Sequence, residues 1–168
     1  MIIKSAGYMW HRRYVDWGQR QLVGVPEEGK SDAVDFADQS GIYGLYAANH
    51  ECIYIGQTGR GESGLYDRLK AHALDDHLFC FWERFTWFGF YSPVQLRTGT
   101  YDDLVAEAVT LAEALDTIES VGIYLALPRF NRRYETGVTE VSWYYQAAEY
   151  EQLKNAKRNE SITKALLE

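Results

Sequence analysis

From Gly41 to Thr58 the chain reads GIYGLYAANHECIYIGQT, two arms rich in Ile and Tyr around a polar centre. Such residues suit a pleated surface, so the pattern predicts a β-hairpin with its turn in Ala48–Glu51. Turn parity sets the register. An even-numbered turn opposes residues whose numbers sum to an odd value, such as 99 for Leu45 and Tyr54. Side chains alternate along each strand. Ile42, Tyr46, Ile53 and Ile55 then share one face, an apolar set fit for burial. Tyr43, Leu45, Cys52 and Tyr54 share the other. An odd-numbered turn would put Tyr43 and Tyr54 on opposite faces.

The segment Gly56–Gly64 holds four glycines in nine residues and reads as a loop. Ser63 or Gly64 is then placed to cap a helix through LYDRLKAHAL, with Leu65, Leu69 and Leu74 toward the core. The aromatic run at 79–91 is expected to pack in the core, its later part as a third strand. Tyr101–Leu127 has helical period, with Leu104, Val105, Ala108, Leu111, Leu115, Ile118 and Ile123 as the apolar stripe and Pro128 closing it. Residues 141–155 and 160–168 are expected to be helical, and residues 1–40 to form one or two short strands or an ordered arm. The order hairpin, helix, strand, helix predicts an α+β fold. The expected architecture is a small three-stranded antiparallel sheet flanked by helices, in a single domain. Residues 1–40 form its N-terminal arm, 41–131 its core and 132–168 a C-terminal helical extension.

Composition narrows the class. With 5 Trp, 13 Tyr and 7 Phe in 168 residues, the chain can fill a real core. No apolar run approaches the ~20 residues of a membrane span, and no secretory signal is read at the start. Two cysteines, Cys52 and Cys80, make neither a disulfide scaffold nor a zinc motif, so a cytoplasmic setting is expected. The net charge of −7 argues against a nucleic-acid partner. Its distribution weakens that objection. Residues 101–127 hold six acidic side chains and no basic one, so the remainder is close to neutral. Arg12 with Arg13, and Arg129 with Arg132 and Arg133, are basic clusters able to line a surface.

Taken singly, the polar candidates are ordinary: strand tyrosines, an Arg and a His one helical turn apart, one acidic residue among six. In order they form a pattern. Gly41-Ile42-Tyr43, ten intervening residues and Tyr54-Ile55-Gly56 resemble the signature of the GIY-YIG nuclease superfamily. Arg68 follows on the predicted helix, with His72 one turn on. Glu119 opens Glu-x8-Pro-x2-Asn, which ends at Pro128 and Asn131 and looks like the segment holding the family's metal-binding glutamate. Gln57 follows the second motif, where repair-type relatives often carry a basic residue; the long glycine-rich loop and the Arg-x3-His helix look more like the restriction and homing branches than the excision-repair branch. Residues 1–40 and 132–168 lie outside the resemblance.

The resemblance implies a metal-dependent endonuclease that hydrolyses DNA phosphodiester bonds. Glu119 would hold one Mg²⁺ or Mn²⁺ as a hard oxygen ligand. Arg68 would grip the scissile phosphate through its planar fork. A tyrosine hydroxyl is the expected base, with Tyr43 favoured and Tyr54 ordering water and phosphate. An ordinary tyrosine gives up about 4 kcal/mol to be phenolate at pH 7, so His72 stands as the alternative base. Gly56, Gln57, Arg129 and Asn131 are the candidate substrate contacts, Asn131 also tying the glutamate helix to the hairpin. Asp75 and Asp76 read as a solvated helix end. A homodimer would serve double-strand cleavage. A catalytically silent nucleic-acid-binding domain and a protein-interaction module remain alternatives on the same scaffold.

Overall fold

The computed structural model describes residues 2–26, 33–59, 63–74, 77–99, 111–126 and 141–167. Its strands are β1 (Ser5–His11), β2 (Val23–Pro26), β3 (Val34–Asp35), β4 (Gly41–Tyr46), β5 (Cys52–Thr58), β6 (Arg84–Gly89) and β7 (Ser142–Gln146). Its α-helices are α1 (Leu65–Leu74), α2 (Pro93–Thr98), α3 (Leu111–Ala126) and α4 (Ala147–Leu167), and a 3₁₀ turn spans Arg12–Tyr14. No helix among the described residues is long and apolar enough to cross a membrane.

The class is α+β, but the sheet is not the small three-stranded one expected. Seven strands form one mixed sheet in the order β3-β2-β7-β1-β6-β4-β5. The expected three strands are its β6-β4-β5 end. The N-terminal arm supplies β1, β2 and β3, and the C-terminal extension holds a strand, β7, where a helix was expected. Both corrections have one cause. β6 pairs with β4 on one side and would leave its other edge bare; β1 takes that edge antiparallel, and β7 runs parallel to β1. In β7, Trp143 packs in one core cluster and Tyr144 in the other. That is a two-residue alternation, not a helical stripe.

Helices cover both faces of the β6-β4-β5 end. On one face, Tyr43, Leu45, Phe85 and Trp87 pack with Leu65, Tyr66, Leu69 and Ala73 of α1. On the other, Ala6 and Phe88 pack with Val121 and Leu125 of α3. The face expected to be the buried one is the thinner: Ile55 is 54% exposed there, although Tyr46 is fully buried. Tyr46 donates to the carbonyls of Tyr124 and Leu125 at 3.2 and 2.9 Å, so it ties down the last turn of α3. Leu74 and Ile118, expected in the core, are exposed, whereas Leu65, Leu69 and Ile123 are buried. Residues 104–108 of the expected stripe lie outside the described residues. Helix α2 was not anticipated, yet its signals are in the sequence. Ser92 and Gln95 make a capping box, Pro93 opens the helix, and Gly99 closes it at φ 65°.

One buried polar side chain fastens this end of the sheet. Gln39 donates to the Ser5 hydroxyl and the Tyr91 carbonyl, both at 3.0 Å. It accepts from the amides of Ser40 and Tyr91 at 3.1 and 2.9 Å. All its hydrogen-bonding capacity is used, between β1, the entry to β4 and the exit of β6. Gln39→Leu keeps the volume but strands these partners. Each unmet buried group costs about 1–3 kcal/mol, so the variant should lose about 3 kcal/mol or more. The midpoint of urea unfolding checks this; a loss under about 1 kcal/mol would show that the clip is dispensable.

Candidate active site

The hairpin brings Tyr43 and Tyr54 to one face by a route other than the expected even-numbered turn. Tyr46 pairs with Cys52 across a five-residue connection, Ala47–Glu51, which by itself would give the wrong parity. A bulge between Leu45 and Tyr46 on the register restores it. Beyond the bulge, Leu45 pairs with Tyr54, Tyr43 with Gly56 and Gly41 with Thr58. The extra residue is Ile53, which packs against the Tyr43 cluster, while Cys52 now falls opposite Tyr46. These two residues have exchanged the faces expected for them. His50 turns the connection at φ 65°.

The glycines of the two motifs are demanded by close approach. A Cβ on Gly56 would stand 2.5 Å from both Cζ and Oη of Tyr43 and 2.7 Å from Cε1 of Tyr54. Both rings therefore lie over Gly56. A Cβ on Gly41 would collide with the Phe88 carbonyl oxygen of the paired strand.

Helix α1 adds the remaining groups. The Gly64 carbonyl accepts the first helical bond from Arg68, and the Gly64 amide donates back to Asp67, so Gly64 is the cap. The amides of Leu65 and Tyr66 donate to the carbonyls of Gln39 and Ala37 at 3.0 Å. The start of α1 is thus docked on the loop before β4. Leu65, Leu69 and Ala73 face the core, and His72 is buried on that side. Its Nε2 lies 2.8 Å from the Tyr43 hydroxyl. Its ring meets Tyr54 edge-on with centroids 4.7 Å apart, and the two tyrosine rings are 6.1 Å apart. Arg68 is exposed at the rim.

Tyr43 has no solvent exposure, and its hydroxyl is pushed up to about 12. Burial is the main cause, and the neighbouring Tyr54 hydroxyl adds to it. The nearby Arg68 guanidinium works against both. Tyr43, Tyr54, Arg68 and His72 therefore form one cluster, with Gly56 as its floor.

The other candidates are placed differently. Glu119 is exposed on α3, and the buried side of that helix packs on the opposite face of the sheet from Tyr43. A Cβ on Gly44, next to Tyr43 and pointing the other way, would meet Leu125 of α3 at 3.0 Å. The expected five-residue cleft is thus a cluster of four. The carboxylate assigned to Mg²⁺ or Mn²⁺ lies apart from it, and the residues as placed do not fit a metal shared with the tyrosines. Among the described residues no three His, Cys, Asp or Glu side chains gather at one point. Gln57 is exposed on β5 and points to the face opposite Tyr43. Arg129 and Asn131 lie outside the described residues, as do Asp75 and Asp76.

Three residues at the ends of α1 escaped the sequence reading. Arg20 makes a two-pronged ion pair with Asp67, at 3.2 and 2.8 Å, and reaches Asp38 at 2.7 Å. At the other end, Trp82 Nε1 donates to the His72 carbonyl at 3.2 Å, and Arg12 donates to the Ala73 carbonyl at 2.8 Å. Nothing periodic marks these contacts, and Arg12 read as half of a surface Arg pair. No family model, curated protein or solved structure matches the chain.

Two outcomes follow from this geometry. Gly56→Ala should push both rings aside and break the Tyr43–His72 bond; a change in the ring ¹⁵N shifts of His72 would register it, and unchanged shifts would count against the close approach. The raised hydroxyl of Tyr43 makes the fold sensitive to alkali. A group whose folded pKa is raised stabilises fully below its unfolded value and loses that contribution as pH climbs through the folded value. For Tyr43 the window runs from the ordinary 10 to about 12, and the loss is about 2–3 kcal/mol. Urea unfolding at stepped pH should show this fall, and Tyr43→Phe should blunt it.

Proposed function

We propose that the chain is an endonuclease that hydrolyses DNA phosphodiester bonds at the Tyr43, Tyr54, Arg68 and His72 cluster. The observation that carries the reading is the 2.8 Å contact between the Tyr43 hydroxyl and His72 Nε2, with the Arg68 guanidinium near enough to act on that hydroxyl. A proton acceptor and a permanent cation stand together where the GIY-YIG resemblance puts the chemistry. The free cysteines Cys52 and Cys80 support a cytoplasmic setting.

The placement favours a shared proton path over a lone tyrosinate. At a pKa of about 12, holding Tyr43 as phenolate at pH 7 costs roughly 7 kcal/mol. A neutral Tyr43 that donates to the imidazole nitrogen avoids that cost. Tyr54 is half-buried and Tyr43 fully shielded, so Tyr54 is the hydroxyl that meets the attacking water. As water oxygen bonds to phosphorus, its proton passes inward through the hydroxyls and the Tyr43 proton moves to His72. The P–O bond to the leaving oxygen breaks, and that oxygen takes a proton from solvent. Arg68 holds the non-bridging oxygens as their charge grows. His72 thus becomes the terminal proton acceptor, the role first given to Tyr43.

Single-turnover cleavage of supercoiled plasmid, branched DNA and RNA, each with Mg²⁺, Mn²⁺ or EDTA, tests the reading beside equilibrium binding. General-base catalysis contributes about 10²–10⁴-fold, so Tyr43→Phe and His72→Ala should each slow cleavage at least about 10²-fold, and to similar extents. Arg68→Lys should match them while DNA affinity changes little, because one phosphate contact is a small part of the total. Glu119→Gln, on the far face, should retain cleavage. A mild His72→Ala would return the base to Tyr43 alone, a dead Glu119→Gln would bring Glu119 back into the site, and no cleavage by the native chain would end the nuclease reading.

A further inference from the structure

The segment 12–20 lies outside the residues that carry the nuclease resemblance, yet it runs along the whole of α1. At the far end Arg20 holds Asp67, and in the same first turn the Tyr66 hydroxyl donates to the Trp17 carbonyl at 2.9 Å. At the near end stands Arg12. Its guanidinium donates to the carbonyls of Ala73, Phe79 and Trp82 and lies over the Trp82 ring, 4.9 Å from the centroid. The last turn of any α-helix leaves carbonyls without partners and carries partial negative charge. Here two adjacent last-turn carbonyls are met by side chains: His72 by the Trp82 indole and Ala73 by Arg12.

His72 belongs to that last turn, so whatever holds the turn sets the ring that faces Tyr43. We propose that Arg12 is a positioning residue for the Tyr43–His72 pair, acting through the C-terminal turn of α1 and through Trp82; the part that concerns cleavage rests on the nuclease reading above. The guanidinium is planar with five donors in a fixed fork, and it serves three carbonyls from two chain segments while stacking on the ring that caps His72. An ammonium lacks both the fork and the flat face. Arg12 is thereby committed to protein carbonyls, unlike its neighbour Arg13, which is exposed and lies over the Tyr14 ring. The two arginines that read as one basic cluster do different work.

The test uses the full chain in four variants: Arg12→Ala, Arg12→Lys, Trp82→Phe and, as the charge control, Arg13→Ala. Trp82→Phe removes the indole N–H and keeps a smaller ring beneath Arg12, so it remains informative if Arg12→Ala does not fold. Three readouts are taken: amide exchange at residues 70–74, the ring ¹⁵N shifts of His72, and single-turnover cleavage beside DNA binding. Arg12→Ala should speed exchange in the last turn at least about 10-fold, move the His72 shifts, and lower the cleavage rate about 10-fold or more with DNA affinity nearly unchanged. Arg12→Lys should recover part of each effect, Trp82→Phe should give the same changes more weakly, and Arg13→Ala should give none. If Arg12→Ala weakens DNA binding and leaves exchange and His72 shifts at native values, Arg12 is a docking cation and the proposal falls. If the native chain cleaves nothing, the nuclease reading fails, while exchange and shifts still decide whether Arg12 sets His72.

Discussion

The bond between a sheet tyrosine and a helix histidine is the constraint around which this end of the molecule is built. Tyr43 Oη and His72 Nε2 meet at 2.8 Å inside the main core, so neither group has water as an alternative partner. A polar pair so placed is stabilising only if strand and helix are held to within a few tenths of an ångström. Much of the surrounding structure supplies that tolerance. Gly56 lets the Tyr43 ring lie on the neighbouring strand, and the bulge at Ile53 turns the paired tyrosines to a common face. Gln39 fixes the entry to β4, and its carbonyl takes the first amide of α1.

The segments beyond the resemblance act on the same constraint. A three-stranded sheet with one bare edge at β6 would leave Trp87 and Phe85 half covered. β1 closes that edge, and its Trp10 stacks edge-on against both rings, 5.4 and 5.9 Å between centroids. Trp10 in turn donates to the Tyr144 carbonyl of β7. Residues 12–20 then leave β1 and clasp α1. The N-terminal and C-terminal extensions are therefore not appendages: one widens the sheet and braces the helix, and the other locks the widened sheet.

What the sequence made legible follows from how local each signal is. The hairpin, α1 and β6 carry strong short-range patterns, and they lie where expected. The shared face of Tyr43 and Tyr54 was reached through a turn-parity argument that the five-residue connection defeats and the bulge rescues; a bulge leaves no clear trace in a run such as CIYIG. β7 was missed because Trp143, Tyr144 and Tyr145 suit a helix or a strand equally until β1 is known to lie beside them. Arg12 was misread for a related reason: its partners are backbone carbonyls 61 to 70 residues away, to which no pattern of side chains points. Glu119 was expected in the cleft on motif order alone. Order along a chain does not say which face of a sheet a later helix will cover, and Leu125 beneath Gly44 puts α3 on the other one.

Magnitudes decide how the proposed site handles its proton. Burial and Tyr54 together lift Tyr43 to about 12, against the single opposing pull of Arg68. Making phenolate at neutral pH then takes roughly 7 kcal/mol, while the whole benefit of a general base is about 3–5 kcal/mol. A site that relied on preformed tyrosinate would lose more than it gained. A hydroxyl that hands its proton on as it receives one carries no charge of its own, and imidazole is the side chain that changes protonation near neutrality. The burial that makes Tyr43 a poor base alone also keeps its only close imidazole partner fixed in reach. The same enclosure thus argues for a two-member relay and for the helix-end contacts that hold its second member still.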